Sequence, residues 1–385
     1  MDKPRLPRPR AVLECFEGLP DPRVDRTRRH KLIDVLVIGV CSILTVGEGF
    51  TDMECFGRAH EEWFRGFLAL PHGIPSHDTF NRVFSAIEPR CFLECFAQWV
   101  EGVCTAFKGE RVAIDGKTLR RAANSGDPLP HIVSAFASEN GLVLGEVQVD
   151  DKSNEITAIP ELLRVLALKG CIVTIDAMGC QKDIAAKIAG KGADYVLSLK
   201  GNQEAALKEF TEYFDYVLSE DHKGALPEKK ARPGTMSFFQ SVEKGHGRLD
   251  VRRYWQSTDI AWFKDAPLWK GLRSAGMVES ERTVNSNRSV ERRYFLSSLP
   301  LDAEAFANAV RSHWGIENKL HWSLDVTFRE DQSRARTRNA AQNLAILRRL
   351  ALNLLRKDNT VKLSLRQKRM LAAMKYDYLS HLLGL

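Results

Sequence analysis

Hydrophobic and polar positions along the chain fall into four stretches. Residues 1–31 are broken by prolines and show no apolar period. Between residues 32 and 108, apolar residues recur at helical spacing over Leu32–Thr45, Asp52–Ala69, His77–Ala86 and Pro89–Phe107, which predicts four helices. Pro75-Ser76-His77-Asp78 supplies a helix start. Beyond residue 110 the pattern changes. Val112–Asp115, Ile132–Ser138, Val143–Val149, Cys171–Asp176 and Tyr195–Leu199 are short β-rich runs, with helical stretches at Ile156–Leu168 and Lys182–Ala189. A three-strand meander followed by strands that need crossovers predicts a mixed sheet in an α/β fold. Residues 201–300 leave this alternation. A helix over Gln203–Leu218, a Lys/Gly/Pro-rich loop near 221–235, and β-like runs at Leu249–Gln256, Gly276–Thr283 and Arg292–Ser298 predict a mostly β insertion. Helices return at Ala303–Leu320, Arg336–Arg356 and Ser364–Leu383. The expected division is a helical domain over 1–108 and a second domain over 109–385, and no internal repeat is visible.

Length and composition narrow the class. With 385 residues, 44% hydrophobic and 27% charged, the chain reads as a globular protein of two or three domains, which excludes collagen-like, low-complexity and wholly disordered classes. The longest apolar run, Leu32–Val46, is short for a membrane span and contains Asp34, so it reads as a buried helix. Met1–Arg10 has no apolar core behind its Pro and Arg residues, so no signal peptide is expected. The eight cysteines, Cys15, Cys41, Cys55, Cys91, Cys95, Cys104, Cys171 and Cys180, form no CxxC pair. That spacing argues against structural zinc and for thiols in a reducing compartment, and the expected location is cytoplasmic.

Two aspartates carry the candidate chemistry. One ends Val-Ala-Ile-Asp115-Gly-Lys and the other ends Val-Thr-Ile-Asp176-Ala-Met. A carboxylate at the C-terminal end of a strand projects into the crevice where α/β folds place ligands. Taken singly, Asp176 reads as a helix N-cap and Asp115 as the start of an Asp-Gly turn. Taken together, on neighbouring strands, they converge, and converging carboxylates call for a proton or a divalent cation such as Mg²⁺. A third acid is expected from the segment Arg-Ser-His313-Trp314-Gly-Ile-Glu317-Asn318-Lys-Leu-His321-Trp322, where His313, Glu317 and His321 share one face at helical spacing. The zinc motif H-E-x-x-H is absent.

These residues resemble a known family. Ala-Ile-Asp115-Gly-Lys-Thr, Asp151-Lys-Ser-Asn-Glu-Ile-Thr-Ala-Ile-Pro160, Thr-Ile-Asp176-Ala-Met, Leu-Lys200-Gly-Asn-Gln203, His246-Gly-Arg, Arg293-Tyr-Phe-Leu-Ser-Ser, His313-Trp-Gly-Ile-Glu317-Asn and Leu324-Asp-Val-Thr-Phe-Arg-Glu-Asp331 occur in the order found in bacterial insertion-sequence transposases of the DDE class, in the H-repeat-associated branch. Asp21-Pro-Arg and Gly73-Ile-Pro-Ser-His-Asp-Thr-Phe80 resemble the helical domain that accompanies that branch. The resemblance implies an RNase H-like core with a β-rich insertion before the last acidic helix. It implies that Asp115, Asp176 and Glu317 are the catalytic, metal-binding acids, with two Mg²⁺ or Mn²⁺ ions as cofactor. Asp325, Glu330 and Asp331 stand as alternative third acids. Lys117, Arg120, Arg121, Lys200, Gln203 and Arg248 are the expected DNA contacts. His313 occupies a place where relatives carry Arg, with Arg311 and Lys319 as further candidates. The implied partners are double-stranded DNA, as element ends and target, and a second copy of the chain in a homodimer. The competing readings are a metal-dependent nuclease of the same fold that does not join strands, a domesticated copy that only binds DNA, and a zinc hydrolase.

Charge sharpens the partner. The net +7 is unevenly spread: residues 332–385 hold twelve basic and two acidic residues, and residues 1–31 hold nine basic, among them Arg26, Arg28, Arg29 and Lys31, and five acidic. The middle is therefore acidic, so basic ends are expected to hold phosphates around an acidic centre.

Overall fold

The computed structural model describes residues 14, 16–103, 109–124, 127–149, 154–218, 234–245, 247–285 and 287–385. Cys15, Cys104, His246 and the start of the Asp151–Pro160 stretch lie outside the described residues. The N-terminal part is helical, as its apolar period predicts: α1 (Leu32–Leu44), α2 (Phe50–Ala59), α3 (Glu61–Arg65), α4 (His77–Ala86) and α5 (Pro89–Val103). Ser76 caps α4, its hydroxyl accepting from the Thr79 amide. The helix expected over Asp52–Ala69 breaks at His60, whose backbone leaves helical geometry (φ −123°, ψ 20°).

The meander and crossovers also form. Strands β1 (Arg111–Thr118), β2 (His131–Ala137) and β3 (Leu142–Val149) pair antiparallel. Helix α6 (Glu155–Val165) leads to β4 (Ile172–Ile175), and α7 (Lys182–Gly190) to β5 (Asp194–Leu199). β4 runs parallel to β1, and β5 parallel to β4. The order β3-β2-β1-β4-β5 is the one expected of an RNase H-like core.

The insertion differs from expectation. After α8 (Glu204–Leu218) come four strands rather than three: β6 (Met236–Gly245), β7 (Arg248–Ser257), β8 (Ser274–Val284) and β9 (Asn287–Ser297). β6 escapes sequence reading because none of its residues is fully buried, so no apolar alternation marks it. The insertion is also not a separate sheet. β9 pairs antiparallel with β5, Val196 opposite Ser297, so nine strands form one continuous sheet.

Helix α9 (Ala303–Gly315) crosses this sheet, capped by Asp302, whose carboxylate accepts from the amides of Glu304 and Ala305. A π-helical segment, Ile316–His321, and α10 (Trp322–Val326) follow. The chain ends in α11 (Ala340–Lys357), α12 (Leu365–Met374) and α13 (Tyr376–Leu383). The single helix expected over Ser364–Leu383 is two helices that meet at Lys375.

Helix α11 decides how the parts sit. Fifteen of its 18 residues are buried, so it is enclosed on every face. It packs on α1, α4 and α5 on one hand and on β3 on the other. Asn343 donates to the carbonyls of Phe84 and Ile87, and Asn353 pairs with both backbone groups of Val143 on the edge strand β3. One hydrophobic core therefore runs from Phe16 to Leu383. It includes residues on both sides of the boundary expected near residue 108.

Four of the twelve basic residues of the C-terminal stretch do not face solvent. Arg348, Arg349, Lys368 and Arg369 are buried. Arg348 donates to the Glu48 carbonyl, Lys368 to that of Leu355 and Arg369 to that of Ile43. Much of the charge near residue 350 thus ties the terminal helices to α1 and its following loop. Among the described residues, no helix is long and apolar enough to cross a membrane.

The seat of α9 rests on Gly276 in β8, where an added Cβ would lie 2.4 Å from the Phe306 ring. Gly276→Ala should lower stability by about 1–3 kcal/mol, the usual cost of overpacking, as measured by urea unfolding. Unchanged stability would show that the α9–sheet contact is loose.

Candidate functional site

Register brings the two aspartates together. Ile114 lies opposite Ile175 in the last parallel pair of β1 and β4, so Asp115 and Asp176 follow side by side. Asp176 leaves its strand at this point, and its carboxylate accepts from the Met178 amide, so it is a turn cap as well as a cavity residue. Asp115 does not open a turn. β1 continues through Gly116 to Thr118 against β2. Both line a cavity of about 700 Å³ with Glu317, Lys200, His313 and Trp314, and with Arg252, Arg282 and Arg293 from the insertion strands.

Glu317 reaches the cavity from the π-helical segment rather than from a regular helix. An i→i+5 segment widens the turn, and such segments recur at functional sites. Ile316 and Leu320 anchor it in the core, while Glu317 stays exposed. The spacing His313–Glu317–His321 therefore does not act as one α-helical stripe.

Electrostatics set the acids apart. Burial pushes the Asp115 carboxyl up to about 7, with the charges of Asp176, Glu155 and Glu317 adding to the rise and a Gly116 backbone hydrogen bond opposing it. Burial also raises Asp176, and Glu155 adds to this, while the Met178 amide and Lys200 pull it down. His321 Nδ1 lies 3.8 Å from Asp115 Oδ2, and burial lowers this imidazole to about 4, so it is neutral at pH 7.

The expected DNA contacts separate into groups. Lys200 is exposed and lines the cavity. Arg120 is 79% exposed with its Nε 3.2 Å from Asp331, and Arg121 is exposed. Lys117 is a correction. It is buried, and its ammonium pairs with Asp325, with Glu330 at 3.3 Å and with Asp331 at 3.2 Å, which leaves it closed to phosphate. Gln203 donates to the Cys180 carbonyl and braces the turn after Asp176 instead of facing the cavity. Arg248 pairs with Asp250 at 2.9 Å and does not line the cavity. His313 does line it, but its Nδ1 meets the Thr174 hydroxyl at 3.0 Å, and burial lowers it to about 4. It is therefore a neutral group, not a cation in place of Arg. Arg311 pairs with Glu243, and Lys319 points to the Ser138 carbonyl.

The alternative acids are likewise engaged. Asp325, Glu330 and Asp331 surround Lys117 and do not line the cavity. Glu330 is fully buried. Its burial alone would raise it, but Arg349, Lys117 and Arg348 hold it down to about 2. Sequence reading overlooked Glu155, Arg252, Arg282 and Arg293. Glu155 and Arg293 lie within the matched stretches, which was the available signal; the other two had none.

Among the described residues, no three or more His, Cys, Asp or Glu side chains are arranged to hold a metal ion as they stand. The donor chemistry of the paired aspartates nevertheless suits Mg²⁺, which takes one or two carboxylates and fills its other positions with water or phosphate. Burial first, and neighbouring acid charge after it, raise both Asp115 and Asp176.

Comparison with known proteins agrees with the geometry. Residues 106–354 match the family described as "Transposase DDE domain", and residues 13–100 match "DDE_Tnp_1-associated". "H repeat-associated putative transposase YhhI" of Escherichia coli (strain K12) is 39% identical over 380 residues, 97% of each chain. "Putative transposase YncI" of Escherichia coli O157:H7 is 40% identical over 97% of this chain and 94% of its own. Among solved structures, a piggyBac transposase synaptic complex with hairpin DNA gives a TM-score of 0.44 at 12% identity, covering 96% of this chain and 76% of that one.

The Asp115 shift has a thermodynamic consequence in cation-free buffer. The unfolded carboxyl titrates near 3.8 and the folded one near 7, so the native state loses stability as pH rises between those values. Asp115→Asn removes this loss. The variant should match the wild type near pH 4 and exceed it above pH 7, by roughly 2–4 kcal/mol in urea unfolding. A difference independent of pH would refute the shift.

Proposed function

The chain belongs to the transposase DDE domain family, and from that premise we infer that it cuts DNA at insertion-sequence ends and joins the freed ends to target DNA. The observation that carries this reading is the register that sets Asp115 beside Asp176 on a cavity shared with Glu317. Asp115, Asp176 and Glu317 would hold Mg²⁺ or Mn²⁺, two ions in this reading, and such ions supply charge neutralisation and a more acidic attacking water.

The chain's own residues do the rest. The three acids would hold the cation that neutralises the reacting phosphate, and Lys200, whose charge acts on Asp176, lines the same cavity and would meet a phosphate there. Arg252, Arg282 and Arg293 form the facing wall. Each already pairs with an acid of the insertion, Arg252 and Arg282 with Asp250 and Arg293 with Glu291, so DNA would exchange partners there rather than meet bare charge. Phosphate contacts of this kind position DNA without reading its sequence. Arg26, Arg28, Arg29 and Lys31 precede the N-terminal helices, which makes that region the candidate for end recognition. Two ends must be handled together, so the working form in this reading is a homodimer on double-stranded DNA, in the cytoplasm.

Asp115→Asn, Asp176→Asn and Glu317→Gln should each lower strand cleavage by about 10³-fold or more, the loss of several kcal/mol of transition-state stabilisation. DNA binding should persist, and urea stability should not fall. Cleavage is read on supercoiled plasmid carrying the element ends, and joining on pre-cut ends. Full cleavage by Glu317→Gln would remove that residue from the triad. Cleavage without joining by the wild type would reduce the activity to that of a nuclease.

A further inference from the structure

His131 and Glu155 stand directly over the backbone that carries Asp115. At Gly116 an added Cβ would lie 2.2 Å from Glu155 Oε1 and 2.3 Å from His131 Nε2. Only a residue without a side chain lets this pair seat on the strand one position after the aspartate. The pair is itself ordered. His131 Nε2 lies 2.7 Å from Glu155 Oε1, and Nδ1 lies 2.9 Å from the Thr118 hydroxyl. The imidazole thus bridges the Glu155 carboxylate and the Thr118 hydroxyl. Asn154 caps α6 by accepting from the Ile156 amide, which makes Glu155 the first residue of that helix. Glu155 thereby lies against the residue that directly follows Asp115.

We propose that Glu155, oriented by His131 and Thr118, is a fourth carboxylate of the Asp115–Asp176–Glu317 site, and that its negative charge strengthens the binding of a divalent cation there. Its role is positioning through charge: it holds the cation by attraction, while the two aspartates face the cavity. The inference rests on the metal-dependent reading above, and the experiment separates the two.

Mn²⁺ and Mg²⁺ are titrated calorimetrically into the full chain without DNA. Glu155→Gln should weaken cation binding about tenfold, the effect of removing one charge within several ångströms of a divalent ion in a solvated site. Glu155→Asp keeps the charge and should recover affinity to within about threefold of wild type. A merely structural Glu155 would show no such rescue by charge. If Glu155→Gln does not fold, His131→Gln takes its place, which leaves the carboxylate but releases its orientation; it should bind about threefold more weakly. Wild-type affinity in Glu155→Gln, or in His131→Gln where that variant is the one used, overturns the proposal while leaving the metal reading intact. No cation binding by the wild type overturns both.

Discussion

Two carboxylates placed side by side in a half-enclosed cavity repel each other, and a fold must hold them there against that repulsion. This one does so through strand register. Four backbone pairs between β1 and β4 fix Ile114 against Ile175, and the next residue on each strand is an aspartate. The backbone cannot relieve the repulsion without breaking the centre of the sheet. The cost shows electrostatically: burial first, and neighbouring acids after it, raise both carboxyls, Asp115 to about 7.

A second cluster of charge lies close by and is resolved in the opposite way. Lys117, on the same face of β1 as Asp115 two residues earlier, is sealed among Asp325, Glu330 and Asp331, and Glu330 is in turn held by buried Arg349 of α11 at 2.6 Å. Here every acid has a base, so no ion is called for. Buried pairs of this kind add little net stability, but removing one partner leaves an unpaired buried charge and costs far more. The network thus fixes how the strand bearing Asp115 meets the terminal helices. It also explains why the acids around residue 330 do not belong to the open cavity, although in sequence they look equally suitable.

The continuous sheet gives the cavity its other wall. Because β9 pairs with β5, the insertion strands extend the core sheet, and their side chains come to line the same space as the acids. A hinged or separate insertion would not place Arg252, Arg282 and Arg293 at a defined distance from Asp176. The mixture of Arg with Asp250, Glu243 and Glu281 on that wall keeps it from being a purely basic groove, and makes its contacts exchangeable.

Local pattern determined a good deal. Apolar period marked α1, α4 and four of the five core strands within a residue or two, while β1 runs three residues past its expected end; each buries a complete face and its sequence must follow that geometry. The two aspartates were legible for the same reason, as acids that close apolar runs, although β1 itself continues past Asp115. What only the tertiary structure decided involves partners distant in sequence. Lys117 and His313 read as cations beside the acids, yet one is neutralised by carboxylates some 210 residues away and the other is discharged by burial. The basic C-terminus read as a phosphate surface, yet Arg348, Arg349, Lys368 and Arg369 point into a core shared with the N-terminal helices. Glu155 read as one residue in a matched stretch, and only the bare backbone of Gly116 shows that it packs against the residue after Asp115. A residue's type and spacing are fixed along the chain, but its charge state and its access to a ligand depend on what folds against it.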